Sequence, residues 1–287
     1  MDGIINIYKP AGMTSHDVVN KVRRIAGTKK VGHTGTLDPD AEGVLPICIN
    51  RGTKVADMLT VSDKRYTATF RLGLTTDTLD IGGTVLEERP VNVTQQQIVD
   101  AIESFVGVIE QIPPMYSAIK VGGKKLCDLA RKGVEVERKS RTVEIYEINI
   151  LDVKDECFTI DVKCSKGTYI RTLGSDIGEK LGCGAVMTGL IRTQSSIFKV
   201  ENAVKLEDLT PENYTNYVTL AVDLFEGEKI TVDGRILSKV LNGNAIPYDG
   251  VEGNYYKLYD DAGKLLCLSK MEEGMLKVEI MFCVGEQ

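Results

Sequence analysis

Several protein classes are excluded by what this 287-residue sequence lacks. No stretch approaches the ~20 consecutive apolar residues of a membrane-spanning helix. The opening Met-Asp-Gly-Ile-Ile-Asn has neither the basic start nor the apolar core of a secretory signal. The seven cysteines are odd in number and form no Cys-x-x-Cys pair, which argues against both a disulfide framework and a structural zinc site. Reduced thiols in a cytoplasmic protein are the expectation. The sequence also has no glycine-rich phosphate loop, no cluster of metal-ligating side chains, no internal repeat and no low-complexity tract. None of the usual signatures of a phosphate-bearing cofactor or a metal is present. Histidine occurs only twice.

What is present describes a soluble globular chain of 43% hydrophobic and 26% charged residues. Its length suits one large domain plus a small one and can bury a substantial core. The net charge of −6 is unevenly spread. Residues 1–200 hold 27 Lys/Arg against 25 Asp/Glu, whereas residues 201–287 hold 8 against 16. Within 115–142 there are 8 basic and 3 acidic residues. Lys120, Lys124, Lys125, Arg131, Lys132, Arg138, Lys139 and Arg141 can supply the local positive potential that a polyphosphate requires.

Strand-like and helix-like segments alternate along the chain. Ile4–Tyr8 and Val44–Ile49 have the apolar continuity of buried strands, and Tyr66–Leu72 alternates in strand fashion. Thr14-x-x-Asp17 and Thr94-x-x-Gln97 resemble capping boxes, predicting helices that end near Gly27 and Gly107. Leu126–Lys132 predicts a short helix before Gly133. Val143–Val153 and Phe158–Cys164 are β-rich around the polar turn Lys154-Asp155-Glu156, and Tyr169–Leu181 returns to helical spacing. The mixture predicts an α+β fold, with a mostly antiparallel sheet flanked by helices. We expect a large domain over 1–205 with an insertion at about 115–142, a connection at 206–228, and a small β-rich domain over 229–287. Short apolar runs broken by Gly243, Gly250, Gly253, Gly263 and Gly274 mark that last segment as β-barrel-like.

One segment, Gly32-His33-Thr34-Gly35-Thr36-Leu37-Asp38-Pro39-Asp40-Ala41-Glu42-Gly43-Val44-Leu45-Pro46, concentrates glycines, small hydroxyls, a histidine and a carboxylate before an apolar run. Glycine lets backbone approach a ligand closely, and Pro39 biases Asp38 to an extended conformation. A carboxylate on such a rigid, non-helical segment is a candidate nucleophile or general base.

This segment resembles the catalytic motif of the TruB-type tRNA pseudouridine synthases, a Gly-His-Thr-Gly-x-Leu-Asp-Pro run ending in Gly-x-Leu-Pro. Lys9-Pro10-x-Gly12-Met13-Thr14-Ser15 resembles the family's N-terminal motif. Lys64-Arg65-Tyr66 and Leu72-Gly73-x-x-Thr76-Asp77-Thr78-x-Asp80-x-x-Gly83 resemble its second motif. Gln111-x-Pro113-Pro114-x-Tyr116-Ser117-Ala118-x-Lys120 and Lys166-Gly167-Thr168-Tyr169-Ile170-Arg171 follow in the expected order. Together the matches span about residues 4 to 194.

The resemblance implies an enzyme that converts uridine to pseudouridine at position 55 in the T loop of tRNA. That reaction breaks the N1–C1′ bond, turns the base and rejoins it through C5, so no cofactor is chemically required. The resemblance also implies that Asp38 attacks or abstracts at the sugar, with Arg171 as its ionic partner and Asp80 joining the network. Tyr66 is similar to the family's base-stacking tyrosine. Tyr169 and Leu190 belong with it at the substrate, and Lys9 and Lys64 in support. His33 corresponds to the loop residue that fills the stack when the uridine is extruded. Lys120, Lys124, Lys125, Arg131 and Lys132 are expected against the RNA backbone. The family's usual arrangement implies a PUA-like module at the C-terminus. The expected partner is the tRNA T arm, met by a monomer that needs no protein partner and no membrane.

Rival readings were weighed on the same residues. Asp38-Pro39-Asp40 superficially suggests an aspartyl-phosphate enzyme, but that motif should directly follow an apolar strand, and Lys29–Gly35 stands there instead. A non-catalytic RNA-binding or tRNA-folding protein could use the same basic face; an intact Asp38, Tyr66 and Arg171 set is what distinguishes the enzyme. The ribosomal branch of pseudouridine synthases carries His-Arg-Leu-Asp, whereas here Gly35-Thr36-Leu37 precedes Asp38.

Overall fold

The structure, a computed structural model, describes residues 2–283. Side-chain alternation builds its main sheet. In the strand Lys64–Leu72 every second residue, from Lys64 through Tyr66, Ala68 and Phe70 to Leu72, is buried. Cys157–Cys164 buries Phe158, Ile160, Val162 and Cys164 in the same way. Glu42–Ile49 is buried from Gly43 onward and forms the centre. Eight strands form the main path: β1 (Gly3–Lys9), β2 (Glu42–Ile49), β3 (Lys64–Leu72), β4 (Gly107–Gln111), β5 (Arg141–Lys154), β6 (Cys157–Cys164), β7 (Ala185–Ser195) and β8 (Val204–Lys205). Their spatial order is β8-β1-β2-β7-β3-β6-β5-β4. Only β8–β1 and β2–β7 pair in parallel, so the sheet is mostly antiparallel, as expected from the sequence.

Helices cover this sheet. Helix α1 (Ser15–Ile25) starts at a Thr14–Asp17 capping box, and α2 (Gln95–Glu103) at a Thr94–Gln97 one, which matches the sequence reading. Helix α3 (Ile170–Lys180) lies unusually close to the sheet. A Cβ on Gly174 would stand 2.0 Å from the Phe70 ring, and one on Gly178 would stand 2.2 Å from the Ala185 nitrogen. These two glycines let α3 settle onto β3 and β7, which fixes the height of Arg171 at its first turn. The core beneath includes Ile5, Val18, Leu45, Phe70, Phe158 and Leu173.

The 115–142 insertion joins β4 to β5. It carries a ribbon, Lys120–Val121 against Lys124–Lys125, turned by Gly122 and Gly123 at φ 57° and 83°. Two consecutive positive φ values define a tight hairpin turn that glycine adopts without steric cost. The short helix Leu126–Ala130 follows, its Leu126 buried.

The segment read as a connection, with room for one short helix, is packed against the main sheet. Leu206 and Leu209 enter the main core, and the short strand Val218–Leu220 pairs antiparallel with β1. Beyond it lies a five-stranded sheet in the order β9 (Glu228–Thr231), β11 (Tyr255–Tyr259), β12 (Leu265–Glu272), β13 (Met275–Met281), β10 (Ile246–Pro247). Its β-rich character agrees with the sequence reading, which did not place the helix it also holds. Gly234–Leu241 is a helix, α4, that begins after Asp233 and packs Leu237, Val240 and Leu241 against the small sheet's core. Ile236, Leu237, Val240 and Leu241 are spaced i, i+1, i+4 and i+5, the helical period, so the local pattern itself carries the helix. Leu268, Ile280 and Phe282 of the small sheet share a second core with Ile4, Val44 and Cys48, so it is seated on the far face of β1 and β2.

Candidate active site

The loop that displays Asp38 is held at four points. Before it, Val31–His33 pairs with β2. The Ser15 hydroxyl donates to the Leu37 carbonyl at 3.0 Å and accepts its N–H at 2.8 Å. The Lys9 ammonium, fully buried, donates to the Pro39 carbonyl at 2.8 Å and to the Pro10 carbonyl at 2.8 Å. Arg192 Nη2 donates to the Gly35 carbonyl at 3.1 Å. Extended backbone is thus clamped from both sides, leaving the Asp38 side chain projecting from it.

Opposite it stands Arg171. Its Nε lies 2.9 Å from Asp38 Oδ2, and its Nη2 donates to Oδ1 at 3.2 Å, a two-point ion pair. Asp80 joins from the other side at 3.6 Å. Two carbonyls finish the fork: Thr78 accepts from Nη1 and Tyr116 from Nη2, each at 2.9 Å. Arg171 is only 6% exposed, so its charge is satisfied in place, while the Asp38 side chain remains 39% exposed to the cleft. Burial pushes the Asp38 carboxyl above its ordinary pKa, Arg171 opposes this, and the Asp80 carboxylate adds to the rise.

Asp38 lies between two cavities. The first, of about 520 Å³, has Tyr66, Tyr169, Lys64, Leu190 and Arg192 in its walls. The second, of about 580 Å³, is bordered by His16, His33, Asp80, Lys125 and Arg131. Leu190 and Arg171 face both. Tyr66 is almost wholly buried on β3, and Tyr169 sits at the N-cap of α3. The side-chain amide of Gln111 fixes Tyr169's backbone, accepting its N–H at 3.0 Å and donating to its carbonyl at 3.3 Å.

The sequence-predicted residues therefore converge, with two qualifications. His33 borders the second cavity rather than the first, and its Nδ1 accepts the Gly35 N–H at 3.2 Å. Of the five basic residues assigned to the RNA backbone, Lys125 and Arg131 border the second cavity, whereas Lys120, Lys124 and Lys132 are exposed outside both. Sequence reasoning missed Arg192, Ser15 and Gln111. Ser15 and Gln111 stood inside quoted motifs, and that position was a usable signal. Arg192 is an isolated arginine two residues past Leu190, and nothing local marks it as buried.

Electrostatically the site is dominated by buried cations. Lys9, Lys64, Arg171 and Arg192 are each at most 8% exposed. Burial lowers the Lys9 and Lys64 ammonium groups to about 8 each, Arg192 adding to both effects. Lys64 is anchored on the Thr60 carbonyl at 2.8 Å and the Ser62 carbonyl at 2.5 Å. Burial and then Arg192 push the His33 imidazole below its ordinary value, which leaves the ring neutral at pH 7. Such a cleft attracts anions and presents the Asp38 carboxylate beside aromatic walls.

Comparison with known proteins gives the same direction. A family model described as TruB family pseudouridylate synthase (N terminal domain) matches residues 23–170. One described as tRNA pseudouridylate synthase B C-terminal domain matches residues 171–224. The chain is 52% identical over 248 residues to the tRNA pseudouridine synthase B of Alkaliphilus oremlandii, covering 86% of this chain and 83% of that protein. It is 48% identical over 290 residues to the protein of the same name from Clostridium perfringens, covering 97% and 98%. Among solved structures it is similar to a Cbf5-Nop10-Gar1 complex, at 28% identity and a TM-score of 0.71, covering 98% of this chain and 85% of that one. An H/ACA RNP bound to a substrate RNA containing 2′-deoxyuridine aligns at 25% identity and a TM-score of 0.69, with coverage of 98% and 85%.

Proposed function

Since the chain belongs to the TruB family of pseudouridylate synthases, we propose that it isomerises uridine to pseudouridine at position 55 in the T loop of tRNA. The carrying observation is the Asp38–Arg171 pair, which presents one partly exposed carboxylate between two cavities. The first cavity suits an extruded uridine, with Tyr66 and Tyr169 supplying aromatic surface and Leu190 an apolar wall. Base–aromatic stacking of about 1–3 kcal/mol offsets much of the few kcal/mol that extrusion costs. His33, neutral and outside that cavity, fills the gap left in the RNA stack.

Asp38 then acts at the sugar, either attacking C1′ or removing a sugar proton. Both routes break the N1–C1′ bond, let the uracil turn and rejoin C1′ through C5; the C5 proton is then lost, N1 gains one, and in the second route the abstracted sugar proton is returned. Arg171 holds the carboxylate at one angle throughout, and this positioning is itself a large part of catalysis. The exposed lysines of 115–142 and the buried cations of the cleft draw the phosphodiester backbone to the site. The small C-terminal sheet is assigned as a PUA-like accessory module, and the protein works as a cytoplasmic monomer.

Incubating the purified protein with unmodified tRNA transcript and mapping pseudouridine by base-resolved chemistry tests this reading. A single product in the T loop is expected. Pseudouridine confined to another arm would remove the position, and none at all would remove the activity.

A further inference from the structure

Arg192 is a charged side chain sealed from solvent. It is 1% exposed, and among the described residues no carboxylate lies within ion-pair distance of it. A buried cation without a counter-ion is expensive, costing several kcal/mol after relaxation, so its retention needs a cause. The guanidinium spends its donors on backbone. Nε donates to the Val44 carbonyl at 2.7 Å, Nη2 to Gly35 at 3.1 Å, and Nη1 reaches Thr36 at 3.5 Å. The backbone around it is equally constrained. Arg192 pairs with Gly43 on β2, and a Cβ on Gly43 would stand 2.3 Å from the Arg192 carbonyl oxygen. On its other edge Arg192 is directly opposite Tyr66 on β3. Directly opposed side chains share one face of a sheet with Cβ atoms about 5 Å apart. Here both side chains stand in the wall of the first cavity.

We propose that Arg192 is a positioning residue of the isomerisation: one planar fork fixes the Gly35–Thr36 turn that carries Asp38 and, through its hydroxyl, the ring of Tyr66. The separation between the stacking ring and the carboxylate is thereby set by a single rigid group. Guanidinium can only donate hydrogen bonds, so in this proposal the Tyr66 oxygen is the acceptor and the ring is held at its tip as well as its stem. A lysine ammonium is a point donor and cannot span both partners. This inference rests on the roles of Asp38 and Tyr66 given above.

Its test compares Arg192→Lys with the parent on tRNA, reading single-turnover rate and RNA dissociation constant separately. A rate loss of about 10- to 100-fold is expected, the scale of a roughly 1 Å misplacement, with affinity within about twofold. A rate within twofold of the parent, or an affinity loss as large as the rate loss, would overturn the proposal. Combining Arg192→Lys with Tyr66→Phe should give less than the product of the two losses, because the shared hydroxyl contact is already gone; independent losses would also overturn it. A third measurement leaves Arg192 in place and needs no substituted protein to turn over. In parent protein carrying ¹³C-labelled tyrosine, the Tyr66 signals, identified by their loss in Tyr66→Phe, should show separate resonances for the two ring edges. A freely flipping, averaged ring would overturn the proposal. A parent protein that makes no pseudouridine would instead refute the functional reading, and the ring measurement would still decide the contact.

Discussion

The Asp38 carboxylate and the Arg171 guanidinium, 133 residues apart in the chain, meet at 2.9 Å across the cleft. The loop that bears the aspartate is tied to β1 and α1, and the arginine to the first turn of α3. The ion pair therefore reports whether the whole body is correctly assembled.

Replacing Asp38 with asparagine keeps the side-chain volume and removes the ionisable group. Turnover on tRNA should fall below detection while tRNA affinity changes by less than about threefold, because the buried cations remain. Filter binding beside pseudouridine mapping checks both. Turnover near the parent rate would exclude Asp38 as the reacting group.

If Asp38 is the reacting carboxylate, as proposed, it must be ionised, and the rate should fall as pH drops through its pKa. Burial first, with help from Asp80, raises that pKa above the ordinary carboxylate value. The acid limb of the single-turnover profile should therefore lie above the value of about 3.9 for a free aspartate. Asp80→Asn removes a raising influence and should move the limb to lower pH. A limb that stays in place would mean that another group titrates there.

Binding should weaken with salt despite the overall charge of −6. For single-stranded or loop RNA each neutralised phosphate contributes a log–log slope of about −0.7. Changing Lys124, Lys125 and Lys132 together to alanine should flatten the slope by up to about 2. An unchanged slope would place the RNA away from the 115–142 insertion.

If His33 fills the RNA stack as proposed, His33→Ala withdraws a contribution of about 1–3 kcal/mol, roughly a five- to 150-fold slower modification of structured tRNA. A short RNA with its uridine already unstacked should lose less. Equal losses on both substrates would assign His33 to loop support through its hydrogen bond to Gly35.

Gly174→Ala would push a methyl into the Phe70 ring, only 2.0 Å from where the new carbon would stand. Overpacking of this kind costs about 1–3 kcal/mol. The thermal unfolding midpoint should drop, and the rate should fall too, because Arg171 rides on the displaced helix. An unchanged midpoint would show that α3 shifts freely on the sheet.

Local signals made much of this protein legible. The capping boxes at Thr14 and Thr94 placed two helix starts, because a cap is a contact between residues three apart. The alternation from Lys64 to Leu72 placed a half-buried strand, because the pleat has a period of two. Asp38 stood out through its glycine- and proline-bounded loop, and the ordered motifs supplied its partners. Tertiary structure alone decided the rest. The parallel seating of β2 beside β7 buries Arg192 under the catalytic loop, and no pattern around residue 192 announces it. Periodicity and caps are properties of neighbours in the chain, whereas burial depends on which distant segment arrives to cover a residue.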